Sequence, residues 1–402
     1  LPDRAPDASG AGAKVRLRLK FLSLGLVGAL AATSAGHAAP AGDARIPTPY
    51  EAPIAMLVDL SSGQTLFARE EDRRFMPASI TKVMTTMVAF EWMERGKLFP
   101  QQVMTVRPDT FRAWNRKGST MYLPHDARIT VDELLHGITT VSANDASVVL
   151  AEGAAGSVAR WAAAMNDTAA RLGMADSHFN TPNGWMDDGQ TFVTARDLVT
   201  LGSAMIRRHP SKYHHFVGKK GLEYNGIRQN NHDPISGVVP GADGIKTGFT
   251  NQAGYGFLGS AERDGRRLVM VVAASPRGRE RNDATRALIE WGFSNFDSRR
   301  LFETNERIAT AEVQDGGVSE IGLVSRRPVR LSVPHGRMPK VDLSVRYEGP
   351  LRAPIADDEE VARLVVTVDG EQVNTLPLYA ERPVTEATVI QRVFNGLWGW
   401  AG

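Results

Sequence analysis

The chain has 402 residues, of which 42% are hydrophobic and 23% charged, and a formal net charge of +2. That length exceeds one ordinary hydrophobic core and implies two domains with further segments at the ends. No Lys/Arg stripe with interleaved aromatics is present, which argues against nucleic acid as a partner, and the absence of cysteine excludes disulfides, zinc–thiolate sites and thiol nucleophiles.

Lys14 to Lys20 form a basic stretch, Phe21 to Ala32 a short apolar run, and Gly36-His37-Ala38 a small-residue cleavage site before Ala39. Residues 1–38 therefore read as a cleaved export signal with an upstream extension. The apolar run is short for a membrane span; an uncleaved anchor is the alternative. Residues 39–49, rich in Pro, Ala and Gly, read as a linker.

Residues 50–297 form the first expected domain. Ala55 to Asp59 and Thr65 to Phe67 read as a hairpin around Ser61-Ser62-Gly63. Ser79 to Arg95 reads as a helix: Pro77 suits its first turn, Met84, Met87, Val88 and Trp92 recur at helical spacing, and Gly96 suits its C-terminal cap. Thr130 with Glu133 forms a capping box for a helix facing the core with Leu134, Leu135 and Ile138. Further helices are expected at Ala146 to Glu152 and Val158 to Leu172. From Gly241 the pattern turns to strands at Ile245 to Phe249, Tyr255 to Ala261 and Arg267 to Ala274, the last two joined by an Asp264-Gly265 turn, and a helix is expected over Asn282 to Phe293. Strands at both ends of a helical middle give an α+β fold: an antiparallel sheet with a helix on its face and a helical lobe beside it, with a cleft between sheet and lobe.

Residues 298–382 read as a small all-β domain, with strands at Val329 to Val333, Val341 to Val345 and Leu364 to Val368. In residues 383–402, Val389, Ile390, Val393, Phe394, Leu397 and Trp398 recur at helical spacing, as in a helix lying on a membrane surface; docking on the protein's own domain is the alternative.

Three short motifs carry chemistry: Ser79-Ile80-Thr81-Lys82, Ser142-Ala143-Asn144 and Lys246-Thr247-Gly248. Each alone is weak; all three in this order, on an expected helix start, loop and strand, are specific to acyl transfer by a serine. Ser79 and Lys82 share a helix face, so Lys82 can take the Ser79 proton if it is neutral; burial and the second cation Lys246 favour that state. Ser142 can relay a proton to the leaving amine, and Asn144 can hold Lys82 and a substrate amide. Thr247 can donate to a carboxylate, Lys246 supplies positive potential, and Gly248 lets a substrate backbone approach. The N–H groups of Ser79 and Phe249 would form an oxyanion hole.

Neither a phosphate loop nor a metal site is expected. Gly241 to Thr247 lacks the Gly-Lys adjacency and enters a strand, and His178, His214 and His215 lack partners at zinc-site spacing. No cofactor is implied.

From about Ile54 to the C-terminus the chain resembles the low-molecular-mass penicillin-binding proteins of peptidase family S11, which are serine-type D-alanyl-D-alanine carboxypeptidases. The likeness extends to Asp243-Gly244-Ile245, Gly226-Ile227-Arg228-Gln229, Ala195-Arg196-Asp197 and Gly278-Arg279-Glu280. It implies a catalytic domain of the β-lactamase-like type, a β-rich second domain and a C-terminal amphipathic anchor. It further implies periplasmic action on the pentapeptide stems of peptidoglycan, at the outer face of the inner membrane, and acylation by β-lactams. Arg279 matches the family arginine that binds the terminal carboxylate. Some relatives carry His after Lys-Thr-Gly where this chain has Phe249, so only the backbone role is retained there. The competing readings are a β-lactamase, which needs a deacylating carboxylate that the sequence does not identify (Asp187 and Asp188 lie in an unplaced loop), and a non-catalytic peptidoglycan-binding protein.

Overall fold

The strand Arg266–Ser275 shows how the sequence builds the catalytic sheet. Its alternate residues Val269, Val271 and Ala273 face one hydrophobic core, while Leu268, Met270 and Val272 face another. A sheet buried on both faces needs a layer of helix on each side. The computed structural model, which describes residues 13–17 and 44–388, has that arrangement.

The antiparallel sheet has five strands in the order Gln64–Arg69, Ile54–Asp59, Arg266–Ser275, Gly254–Arg263 and Ala242–Thr250. The helices in chain order are α1 (Lys82–Glu94), α2 (Pro108–Trp114), α3 (Val131–Thr140), α4 (Asn144–Ala155), α5 (Val158–Leu172), α6 (Ala195–Arg208), α7 (Pro210–Phe216) and α8 (Gly278–Asn295). Ala284, Leu288 and Ile289 of α8 cover one sheet face with Leu57 and Met270. The other face shares a core with α1, α3, α4, α5 and α6.

Helix α1 lies inside that core. Every residue from Lys82 to Glu91 is buried, so the helix has no polar face, and the expected apolar stripe is only part of its buried surface. Its first turn differs from the expectation: Ala78–Thr81 is a 3₁₀ turn that carries Ser79, and the α-helix proper begins at Lys82.

The capping box at Thr130 and Glu133 forms as expected, and Leu134, Leu135 and Ile138 are fully buried. Helix α5 ends at Gly173, which adopts φ +76°. The Asp264-Gly265 turn has φ of +51° and +70°, the signature of a two-residue hairpin turn of the primed type. Helix α4 starts two residues before its expected start, at Asn144, and α8 starts four before its own, at Gly278. Helices α2, α6 and α7 and the hairpin Gly221–Tyr224 with Ile227–Asn230 are additional to the elements expected from the sequence.

The described residues divide into two compact units, one comprising residues 44–60 and 65–295, the other 13–17, 61–64 and 296–388. The second is all-β among its described residues. Its larger sheet has the order Ala13–Leu17, Val341–Tyr347, Glu360–Val368, Glu371–Ala380, Glu320–Val324, Arg307–Gln314 and Leu351–Arg352. Phe296–Phe302 pairs separately with Val329–Pro334. Ala13–Leu17, within the expected export signal, pairs antiparallel with Val341–Tyr347.

Residues 383–388, expected to open the C-terminal helix, instead belong to this β unit. Val384 exchanges backbone bonds with Ile355, Ala387 donates to Asp315 O, and Gly317 donates to Thr385 O. Residues 389–402, with the apolar positions of the expected amphipathic helix, lie outside the described residues. No helix among the described residues is long and apolar enough to cross a membrane.

The cap at Thr130 satisfies an otherwise orphaned N–H of α3 through a 3.2 Å bond from Glu133 N. Thr130→Ala is expected to lower unfolding stability by about 1 kcal/mol, measured by urea denaturation of the purified chain with an unchanged m-value.

Candidate active site

The three motifs converge on one cleft of about 500 Å³ in the first unit. Its lining includes Ser79, Ser142, Asn144, Thr247, Phe249 and Arg281. A larger groove of about 850 Å³ in the β unit, lined by residues such as Arg346, Glu348, Arg352 and Glu359, holds no nucleophile paired with a base.

Lys82 sits beneath Ser79, fully buried at the start of α1. Its Nζ lies 2.8 Å from Ser79 Oγ, 2.8 Å from Asn144 Oδ1 and 2.8 Å from Asn183 O. Two of these partners are pure acceptors. The Asn144 amide is oriented by its own Nδ2, which donates to Lys117 O at 3.0 Å. A neutral amine has two N–H groups and one lone pair. In the neutral form, with both N–H groups given to the carbonyls, the lone pair would face the Ser79 hydroxyl; the protonated form would donate to all three oxygens. Burial, aided by the charge of Lys246, pushes the Lys82 pKa well below the ordinary lysine range against the opposing pull of Asp145. Ser79 and the buried Lys82 thus lie within hydrogen-bond reach of one another.

Two backbone positions at the site are strained. Ala78, immediately before Ser79, has φ +49°, and Ser142 has φ +63°. Ser142 is fixed by its flanks: Ala143 N donates to Gly137 O and Asn144 N to Ser119 O. The buried Asp145 accepts from the N–H groups of Met121, Leu123 and Ala146, which ties the 119–123 loop to this turn. Burial raises the Asp145 pKa against those hydrogen bonds.

The Lys246-Thr247-Gly248 segment lies on the edge strand of the sheet, with Gly248 in register with Gly256. Gly248 was expected to admit a substrate backbone. Its tightest constraint is internal: a Cβ there would stand 2.4 Å from Pro77 O and 3.0 Å from Ile80 Cγ1. The missing side chain lets the strand press against the turn that carries Ser79. Lys246 is buried behind the lining and donates to Thr247 O at 3.1 Å. Burial and the charge of Arg281 lower its pKa to about 7, against the pull of Asp233. The Phe249 side chain is 47% exposed and stacks on Tyr255 with ring centroids 4.1 Å apart.

Arg279 is not in the cleft. It belongs to the first turn of α8, its side chain is 90% exposed, and it faces Asp283 at 3.6 Å. Residues two apart on a helix point to opposite sides, so the same geometry that turns Arg279 out turns Arg281 in. Arg281 is buried, lines the cleft and donates from Nη1 to Gly256 O at 3.0 Å. Burial lowers its pKa to about 10. The helix begins four residues before its expected start at Asn282, which sets Arg279 and Arg281 on opposite faces of its first turns.

Asn183 and Gly184 were not singled out in the sequence, because a backbone carbonyl carries no side-chain signal. Thr85 Oγ1 donates to Pro182 O at 2.6 Å and Trp185 N donates to Asn183 Oδ1 at 3.0 Å, which positions the Asn183 carbonyl over Lys82. Gly184 has φ +70°, and a Cβ on it would stand 1.8 Å from Ala78 O.

Comparison with known proteins identifies the family. Residues 42–276 match the family model for D-alanyl-D-alanine carboxypeptidase, and residues 296–386 match the penicillin-binding protein 5 C-terminal domain. The chain belongs to the S11 family of D-alanyl-D-alanine carboxypeptidases. It is 31% identical to the D-alanyl-D-alanine carboxypeptidase DacA of Haemophilus influenzae, covering 88% of this chain and 89% of that one. It is 32% identical to DacA of Escherichia coli, over 85% of each chain. The crystal structure of penicillin binding protein 5 from Haemophilus influenzae superposes with a TM-score of 0.74 at 30% identity, covering 85% of this chain and all of that one. The chain is a serine-type carboxypeptidase with the penicillin-binding protein fold.

Gly184→Ala removes no functional group, yet forces the Ala78 carbonyl beside Ser79 to move. It is expected to slow acylation by a fluorescent penicillin on the order of a hundredfold, as small misplacements of a nucleophile do. Near-UV circular dichroism checks that the fold is kept; an unchanged labelling rate would show that this turn does not set the Ser79 position.

Proposed function

We propose that Ser79 is the acylated nucleophile, Lys82 its general base, and the terminal D-alanyl-D-alanine of a peptidoglycan stem peptide the substrate. The observation that carries the assignment is the Lys82 amine, 2.8 Å from Ser79 Oγ with its two other partners both carbonyl acceptors. Ser79 Oγ attacks the carbonyl of the penultimate residue as Lys82 takes the hydroxyl proton. The N–H groups of Ser79 and Phe249 receive the developing oxyanion. Ser142, on the opposite lining of the cleft, passes a proton to the departing D-alanine amine. Water then hydrolyses the acyl ester by the same groups in reverse order.

β-Lactams present a reactive cyclic amide and a carboxylate to the same groups, and we assign them to Ser79 as well. Penicillin-binding protein D2 of Listeria monocytogenes, 28% identical, has been solved in its ampicillin-bound form; it superposes at a TM-score of 0.56, covering 62% of this chain and all of that one. A β-lactamase reading is disfavoured by the cleft itself. No carboxylate lines it among the described residues, and Asp187 is engaged by the N–H and hydroxyl of Thr191. Peptide mapping after penicillin treatment is expected to find the adduct on the peptide holding Ser79, with no labelling in Ser79→Ala. An adduct elsewhere would overturn the assignment.

Recognition of the free terminus falls to Arg281 and Thr247, in place of Arg279. A carboxypeptidase must tell a chain end from a mid-chain bond, and the mark of the end is one negative charge. Arg281→Ala is expected to lose a charge-assisted bond of about 1.5–3 kcal/mol, on the order of ten- to a hundredfold in kcat/KM. Arg279→Ala should leave kcat/KM within about twofold, as for an exposed ion pair. An amidated terminus should erase most of the Arg281 effect; equal losses on free and amidated peptides would assign Arg281 to cleft architecture.

The protein is further proposed to be exported to the periplasm and held at the outer face of the inner membrane by the amphipathic segment in residues 389–402. Apolar positions at helical spacing and Trp398 with Trp400 support this. Truncation after Thr388 is expected to release the exported protein from the membrane fraction with peptide hydrolysis in solution unchanged. A truncated protein that still sediments with membranes would transfer the anchor elsewhere.

A further inference from the structure

Away from the cleft, α3 and α7 turn three metal-ligating side chains toward one point: Asp132, His136 and His215. Asp132 and His136 are four residues apart and share a face of α3, and His215 comes from the last turn of α7. His215 Nε2 lies 2.9 Å from Asp132 Oδ1, and His136 Nε2 lies 3.7 Å from Asp132 Oδ2. All three candidate donor atoms fall within 4.8 Å of one another. Donors of a tetrahedral zinc ion with bonds of about 2.0–2.1 Å are about 3.3 Å apart. Modest side-chain rotation spans that difference.

We propose that Asp132, His136 and His215 form a binding site for a divalent transition-metal cation of the zinc class, which fastens α3 to α7. Two imidazoles and one carboxylate suit such an ion, and three protein ligands leave a coordination position for water.

Packing holds the two rings in place. His136 and His215 meet edge to face with centroids 5.1 Å apart, and both pack on Phe216, at 5.0 and 4.5 Å.

The site joins elements that lead to the cleft. Thr139 of α3 donates to Phe216 O at 2.8 Å, and α3 runs directly into Ser142. Tyr213 of α7 donates to Asp243 Oδ1 at 3.0 Å, on the strand that carries Lys246. A cation at this point would brace the helical lobe against the substrate-binding strand without touching the reacting atoms.

The test is a titration of the purified, chelator-treated chain with cobalt(II) chloride, followed by visible d–d absorption, and then with zinc chloride in competition. The expected result is saturable binding of one equivalent, displacement by zinc, and a higher Tm with either ion. Asp132→Asn keeps size and shape, and His215→Ala removes a nitrogen ligand; each is expected to weaken binding by at least about a hundredfold. Penicillin labelling, which should be retained in both variants, reports that they are folded. The proposal is overturned if the unmodified chain binds zinc no tighter than about 1 mM. Affinity unchanged in the Asp132→Asn and His215→Ala variants overturns it equally.

Discussion

The structure turns on one buried amine. A charged lysine taken out of water costs several kcal/mol unless it is paired, and Lys82 has no carboxylate among its hydrogen-bond partners. What surrounds it is a hydroxyl and two carbonyl oxygens, a set that satisfies a neutral amine completely. The chain obtains this by placing Lys82 at the head of a helix sealed on all sides, so that the tertiary fold sets the protonation state. Removing the helical lobe would hydrate the amine and return it to its ordinary charged form.

Holding three distant segments within hydrogen-bond reach of one nitrogen has a conformational cost, and it is seen where the segments meet. Ala78 and Ser142 adopt positive φ beside the residues that touch Lys82 or line the cleft. Gly184 and Gly248 make two close approaches to the turn around Ser79, one from the Asn183 loop and one from the edge strand. Loop, strand and helix are thus pressed against a single 3₁₀ turn. A side chain at either glycine would separate the Ser79 turn from one of its supports.

Much of this was legible in the sequence because it is locally encoded. The Thr130 capping box, the Gly173 stop and the Asp264-Gly265 turn each need only a few neighbouring residues. The three motifs were legible because side-chain chemistry identifies them. Helix α6 also had a local signal: Thr194 caps Asp197 N, and Leu198, Leu201, Gly202 and Met205 share its buried face. The Asn183 carbonyl had none, since any residue supplies a carbonyl and only the fold decides where it points. Where Arg279 points depends on a helix boundary, the feature that sequence patterns fix least well. His215 and His136 are 79 positions apart, so no spacing rule joins them before α3 and α7 pack.

The charges around the cleft explain why an anionic terminus is the natural occupant. Arg281 lines it, Lys246 lies just behind, and no carboxylate among the described residues lines the wall. Burial and the Arg281 charge lower the Lys246 pKa to about 7, so the cleft is reluctant to keep its full positive charge. A substrate carboxylate supplies the missing counter-charge. In the proposed assignment its arrival raises the Lys246 pKa and draws a proton onto that side chain. A positive Lys246 in turn disfavours protonation of Lys82, the other buried cation site. Binding of the correct chain end would therefore hold the base in the neutral form that its burial already favours. An uncharged mid-chain peptide supplies no such counter-charge, so in this assignment recognition of the terminus and activation of the serine would be coupled through the electrostatics of a single cleft.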